Sequence, residues 1–307
     1  MCMEDFRYNK LNTYLQSRFG GRVLKVCVDG GFTCPNRDGT KGTGGCIYCS
    51  AMGSGELIHG SVSIASQVQS FLSSYRGDRA SKFIVYFQNY TCTYAPIPEL
   101  KSKYDEALGA SDKIVGISIA TRPDCIDESV CELLASYLDR YYVSVELGLQ
   151  TASDAIGSSI NRCYTTQDFI DAVAMLHRYG IEVVGHMMVG LPGESREDLL
   201  DTVALFNRVH IDGVKIHSTY VVDHTRLADM YRDGVYQPIT FDYYIDSVVC
   251  ILTHLNPSIV IHRITGDAPK DILLAPMWNK SKKVVMNTIH QVLSKGDLRQ
   301  GMYYTDI

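Results

Sequence analysis

The chain has 307 residues, 46% hydrophobic and 21% charged, an ordinary globular balance that accommodates one large α/β domain or a smaller core with an extension. No apolar run approaches the roughly 18 residues that a membrane span needs, and the N-terminal "MCMEDFRYNKLNTYLQSRFG" lacks an apolar signal core, so the expectation is a cytoplasmic protein without a membrane partner. A net charge of −5 argues against general nucleic-acid binding, and ten cysteines in a reducing compartment point to metal or redox chemistry or to buried thiols rather than disulfides.

Taken in chain order, the first predicted strand is "RVLKVCVD", followed at once by the glycine-rich "CPNRDGTKGTGGCIYC". Further β-branched runs follow, "KFIVYFQ", "KIVGISIAT", "YYVSVELGLQ", "IEVVGHMMVG" and "GVKIHSTYVV", each separated from the next by a helical pattern. Six strands alternating with helices predict a parallel sheet with right-handed crossovers. "TTQDFIDAVAMLHRYG" carries a capping pair, Thr165 with Asp168, and a stop at Gly180; "GESREDLLDTVALFNRVH" repeats the plan with Ser195 and Asp198.

Alternation along the strands assigns one polar face. Ser144, Glu146, Gly148 and Gln150 share a side, as do Tyr86 with Gln88 and Lys215 with His217 and Thr219. Strands with helices outside and a polar lumen fit an incomplete barrel around a polar ligand, with its functional rim at the strand C-terminal ends. Beyond Val222 the alternation weakens: "FDYYIDSVVCILTHLN" reads as a helix, "SIVIHRIT" as a further strand and "SKKVVMNTIHQVLSKG" as a terminal helix ended by Gly296. Residues 1–222 are thus expected to form the barrel with its N-terminal segment, and 223–307 an extension packed on it.

Cys27, Cys125, Cys131 and Cys250 sit among apolar residues and are expected to be buried thiols. Cys34, Cys46 and Cys49 differ: one cysteine, an eleven-residue gap, then a CxxC pair on the loop after the first strand. Thiolates at that spacing bind a soft metal. Three of them suit a [4Fe–4S] cluster with one iron left open, or zinc with His59 or a distant cysteine as fourth ligand.

These residues resemble the radical SAM superfamily, and specifically its YtqA/YhcC-like branch, related to the elongator catalytic subunit and oxygen-independent coproporphyrinogen oxidase. The likeness runs through "GFTCPNRDGTKGTGGCIYC", "YFQNYTCTYAP", "GISIATRPDCI", "VELGLQT", "INRCYTTQDF", "VVGHMMVGLPGE" and "ITGDAPKDILLAPMW". It implies a partial (β/α)6 barrel, a [4Fe–4S] cluster on Cys34, Cys46 and Cys49, and S-adenosylmethionine (SAM) chelated to the open iron. It also implies a one-electron donor of flavodoxin or ferredoxin type. By the same resemblance Tyr48 lies against adenine, Gln88 and Asn89 meet the SAM amino group, Gln150 and His186 the ribose, Arg162 the carboxylate, and Gly190 in "GLPGE" the adenine. Glu146 is expected to contact ligand because an inward charge needs a partner. Where the branch has "NRGHT" this chain has "NRCYT".

The elongator relationship implies RNA, with C5 of the tRNA wobble uridine as the place of modification. Arg122, Lys215, His217 and Tyr220 are substrate-contact candidates. Between Asn279 and Gly301 five basic residues (Lys280, Lys282, Lys283, Lys295, Arg299) face one acid, Asp297, and could meet phosphate. Two other readings stand: a radical SAM enzyme acting on a small metabolite or tetrapyrrole, and a non-catalytic or zinc-dependent RNA-binding protein.

Overall fold

The computed structural model describes residues 7–50, 53, 62–266 and 268–306, with only the backbone of Lys280. Its strands are β1 (Val23–Val28), β2 (Lys82–Phe87), β3 (Ile114–Thr121), β4 (Tyr142–Gln150), β5 (Glu182–Val189), β6 (Gly213–Ser218), the two-residue β7 (Val221–Val222), β8 (Val260–Arg263) and β9 (Leu273–Ala275). β1 to β6 and then β8 form one curled parallel sheet in that order, while β7 and β9 make a short antiparallel ribbon. The helices are α1 (Leu11–Phe19), α2 (Ile64–Leu72), α3 (Ile97–Gly109), α4 (Glu128–Ala135), α5 (Asp154–Ser159), α6 (Thr166–Arg178), α7 (Arg196–Arg208), α8 (Arg226–Arg232), α9 (Phe241–His254) and α10 (Lys282–Lys295). None is long and apolar enough to cross a membrane.

This is the partial barrel expected, with one more strand in its sheet than the six read from residues up to Val222. The sheet continues past that position because Val214 of β6 pairs with Ile261 of β8 and Lys215 with Arg263. Both helix starts read from the sequence carry complete capping boxes, Thr165 with Asp168 on α6 and Ser195 with Asp198 on α7. Each satisfies two backbone N–H groups that would otherwise be orphaned.

The outward strand face supplies the core. Val26, Phe87, Ile119, Val145, Met187 and Ile216 pack with Val68, Tyr104, Leu134, Phe169, Phe206 and Val248 from the surrounding helices. At the N-terminal end α1 spans the gap between the two sheet edges, with Lys10 bridging Ile261 and Leu15 packed with Val23, Ile84 and Tyr142. The Tyr14 and Tyr142 hydroxyls donate to the Glu182 carboxylate at 2.5 and 2.8 Å. The lumen therefore has a floor and opens at the C-terminal rim.

Cys131 is buried as expected, and Cys125 and Cys250 are half-buried. Cys27 is not a core thiol. In "VLKVCV" the valines at 26 and 28 take the outer face, so Lys25 and Cys27 are left facing the lumen, and Cys27 is exposed there.

Candidate functional site

The three-cysteine loop is folded back on itself by its own backbone. The Lys41 and Gly42 N–H groups donate to the Pro35 carbonyl at 2.8 and 3.2 Å, and Gly45 N–H donates to Asn36 O at 2.8 Å. Gly44 and Gly45 turn the chain with φ of 78° and 76°, the left-handed region that glycine enters without penalty. Within the CxxC turn, Cys49 N–H donates to Cys46 O at 3.0 Å. Ile47 between them is 2% exposed and locks the turn onto the rim: its N–H donates to Ile160 O at 3.1 Å and its carbonyl accepts from Leu227 N–H at 2.9 Å. Tyr48 packs with the same apolar cluster.

A second clamp comes from the loop between α5 and α6. The Asn161 amide donates to Gly45 O at 2.7 Å and to Thr43 O at 3.3 Å. Among the described residues Cys34, Cys46 and Cys49 are in no disulfide. Burial, with the neighbouring Cys49, pushes the Cys46 thiol up to about 12, so a thiolate there needs the positive charge of a soft metal beside it. Among the described residues no three His, Cys, Asp or Glu side chains are grouped to hold a single metal ion. His59, the alternative zinc ligand, lies outside the described residues.

Beneath the loop the lumen is polar. Glu146 is fully buried and central: its Oε1 accepts from Lys25 Nζ at 2.6 Å and Ser118 Oγ at 3.0 Å, while Oε2 bonds His186 Nε2 at 2.9 Å and also accepts from Lys215 Nζ. Lys215 also donates to the Tyr86 hydroxyl at 3.1 Å, and both lysines stand over the Tyr86 ring. Burial outweighs the attraction of Glu146 and lowers the Lys215 ammonium to about 8; despite its own burial, the two lysines hold the Glu146 carboxyl well below its ordinary value. The His217 ring lies 5.2 Å from that of His186, and burial pushes its pKa well below the usual imidazole range. Its Nε2 has no partner among the described residues. Asn89, 1% exposed just beyond β2, has neither amide atom paired among them, a buried donor and acceptor that fit a polar ligand.

The expected SAM and substrate contacts therefore divide. Glu146, His186, Lys215 and His217 come together in the lumen. Arg162 and Arg122 do not join them. Arg162 is 0% exposed and uses four N–H donors on the protein: Leu149 O at 2.8 Å, Thr151 O at 2.7 Å, Tyr164 O at 3.0 Å and Asp154 Oδ1 at 2.7 Å. Gly157 makes this possible, since a Cβ there would stand 2.7 Å from the guanidinium carbon. Arg122 forks onto Asp124 with two bonds of 2.9 Å and donates to the carbonyls of Arg162 and Cys163. Both guanidinium groups flank the Tyr164 ring at 4.8 Å, and its hydroxyl donates to Gly148 O at 2.6 Å. That is the structural use of tyrosine in "NRCYT".

Gln150 ends β4 at φ 71° with its amide folded over Gly148, and Gln88 follows β2 half-buried. Tyr220 lies against Gly266 just beyond β6. Gly190 is closed in by protein: its N–H meets Glu194 Oε2 at 2.7 Å, its carbonyl accepts from Tyr236 at 2.7 Å, and a Cβ would sit 2.9 Å from Ile239. Lys25 and Asn36 were not singled out from the sequence. Alternation along β1 could have found Lys25; nothing local distinguishes Asn36.

Glu194 lines an open groove of about 480 Å³ with Pro192, Tyr236, Pro238 and Tyr243. Burial lifts its carboxyl to about 8, against the pull of the Gly190 and Leu191 N–H groups. The folded state thus holds a proton that the unfolded chain releases near the ordinary glutamate value of 4.5, so this stabilisation is full below about 4.5 and is lost as pH rises through about 8. Glu194→Gln is expected to flatten that fall, as measured by thermal melting across the interval; an unchanged slope would refute it.

The Radical SAM superfamily model matches residues 37–206 and the Radical_SAM C-terminal domain model residues 211–295. The uncharacterized protein YtqA of Bacillus subtilis is 37% identical over 300 residues, covering 97% of this chain and 93% of that protein. The tRNA uridine(34) acetyltransferase of Dehalococcoides mccartyi is 30% identical over 187 residues, covering 60% of this chain and 39% of that one. Among solved structures, the archaeal Methanocaldococcus infernus Elp3 superposes with a TM-score of 0.68 at 20% identity, covering 91% of this chain and 64% of that one. A thiolate loop over a polar half-barrel and a family match across most of the chain lead to one assignment: the protein belongs to the radical SAM superfamily, whose enzymes use a [4Fe–4S] cluster and SAM.

Proposed function

We propose that this enzyme modifies the C5 side chain of the wobble uridine in tRNA, with Cys34, Cys46 and Cys49 holding the cluster. Bound on those three thiolates, a [4Fe–4S] cluster with SAM would supply one-electron radical chemistry for hydrogen abstraction from substrate. The chain's own residues position and exclude. Asn89, with its unpaired amide, and Gln88 receive the SAM amino group; Gln150 and His186 lie toward the ribose and Tyr48 toward adenine, while Gly190, its backbone taken by Glu194 and Tyr236, holds its own turn. Arg162 and Arg122 act through the loop they brace rather than by a free fork.

The observation that carries the reading is the polar lumen, floored at one end, under the thiolate loop. Lys25, Lys215 and His217 give it hydrogen-bonding groups suited to the carbonyl oxygens of a uracil ring. The tRNA assignment is supported by likeness to the tRNA uridine(34) acetyltransferase and, in fold, to archaeal Elp3. Its electrostatic support is local. Lys283 is exposed at the start of α10, which follows the β9 ribbon at the rim. Lys295 and Arg299 are exposed at the other end, where Arg7 pairs with Asp297. Of the two ends, the Lys283 end lies on the side of the mouth and is the one offered to phosphate. A cytoplasmic location and a flavodoxin- or ferredoxin-type donor complete the proposal.

The test is tRNA from cells lacking the gene, incubated anaerobically with reconstituted enzyme, dithionite and SAM, then digested for nucleoside mass spectrometry. A changed wobble uridine is the expected result. SAM cleavage with every tRNA nucleoside unchanged would overturn the tRNA assignment in favour of a small substrate.

A further inference from the structure

Asn36 is 0% exposed and sits inside the thiolate loop. Its amide nitrogen donates to the Asn161 carbonyl at 2.6 Å and lies 3.8 Å from Cys46 Sγ, within range of a sulfur-accepted hydrogen bond. The Asn161 carbonyl fixes which way the amide points, because a flipped Asn36 would set oxygen against oxygen. The arrangement has a cost: Asn36 Oδ1 is buried with no partner among the described residues. Gly42 is shaped around it, for a Cβ at that position would stand 2.3 Å from Oδ1. A side chain held with one polar atom unpaired and its neighbour reduced to glycine is oriented for what its other end does.

We propose that Asn36 is a tuning residue, donating an N–H to the Cys46 sulfur and thereby raising the reduction potential of the cluster that Cys46 ligates. Hydrogen bonds to the sulfurs favour the more negative, reduced cluster. They also fix the ligand's orientation, and the clamp through Asn161 extends this control to the whole loop.

The experiment is an EPR-monitored redox titration of the reconstituted holoprotein without SAM or tRNA, so its outcome is independent of the substrate assignment. Asn36→Leu keeps the branched heavy-atom shape and removes the donor. At the potential where wild type is half reduced, its reduced-to-oxidised ratio is expected to fall about tenfold, equivalent to ~59 mV for one electron. Gly42→Ala, which displaces the amide by crowding Oδ1, is expected to shift in the same direction. Thr40→Ala, which removes a bond from the same loop to Tyr94 without touching Asn36, is expected to titrate as wild type. A wild-type midpoint in either Asn36→Leu or Gly42→Ala at full iron and sulfide content overturns the proposal. So does an equal shift in Thr40→Ala, which would mark a loosened loop rather than a lost hydrogen bond.

Discussion

Glu146→Ala is expected to destabilise the protein by about 3–5 kcal/mol, the range seen when one partner of a buried ion pair is removed. The carboxylate is fully buried and holds Lys25, Lys215, Ser118 and His186. Without it two ammonium groups face each other in a lumen of low dielectric, and each keeps only part of its solvation. Lys215 is already lowered to about 8 with Glu146 present, so losing the carboxylate drives it further toward the neutral amine. Urea denaturation measures the loss. Glu146→Ala combined with Lys215→Met is expected to be more stable than the two single effects sum to, because the second change removes an uncompensated charge. Strict additivity would mean that the lysine and carboxylate do not depend on each other.

Cys46→Ala is expected to abolish cluster loading, taking iron content and 5′-deoxyadenosine formation to background. The fold is expected to persist. Ile47, not Cys46, anchors the turn to Ile160 and Leu227, and the loop closes through backbone and Asn161 hydrogen bonds. Thermal melting of the apoprotein should therefore move by less than about 1 kcal/mol, in line with removing a thiol that makes no apolar anchor. Full iron loading in Cys46→Ala would remove this cysteine from the ligand set.

These expectations rest on features the sequence revealed unequally. Strand alternation turned Glu146, Lys215 and His217 inward, where they meet, because a two-residue period is a local property of the chain; His186 came only from the family resemblance. Capping boxes at Thr165 and Ser195 were legible for the same reason. The arginines were not. Arg162 binds the carbonyls of Leu149 and Thr151, and Arg122 binds those of Arg162 and Cys163. A carbonyl oxygen is present at every residue, so no side-chain pattern announces such partners, and a buried guanidinium resembles a ligand-binding one. Cys27 was misjudged from its valine neighbours, although those valines define the opposite face. "SIVIHRIT" was recognisable as a strand, yet its place beside β6 depends on pairing across more than forty residues and lies outside local patterning.

Both the radical chemistry and the substrate can be read from one anaerobic reaction of enzyme, dithionite, SAM and tRNA in which 5′-deoxyadenosine and wobble-uridine nucleosides are quantified together. Deoxyadenosine is expected from wild type and not from Cys46→Ala, together with conversion of one C5-substituted wobble uridine. An iron-free protein that binds zinc tightly and forms no deoxyadenosine would contradict it, leaving the superfamily's fold without its chemistry.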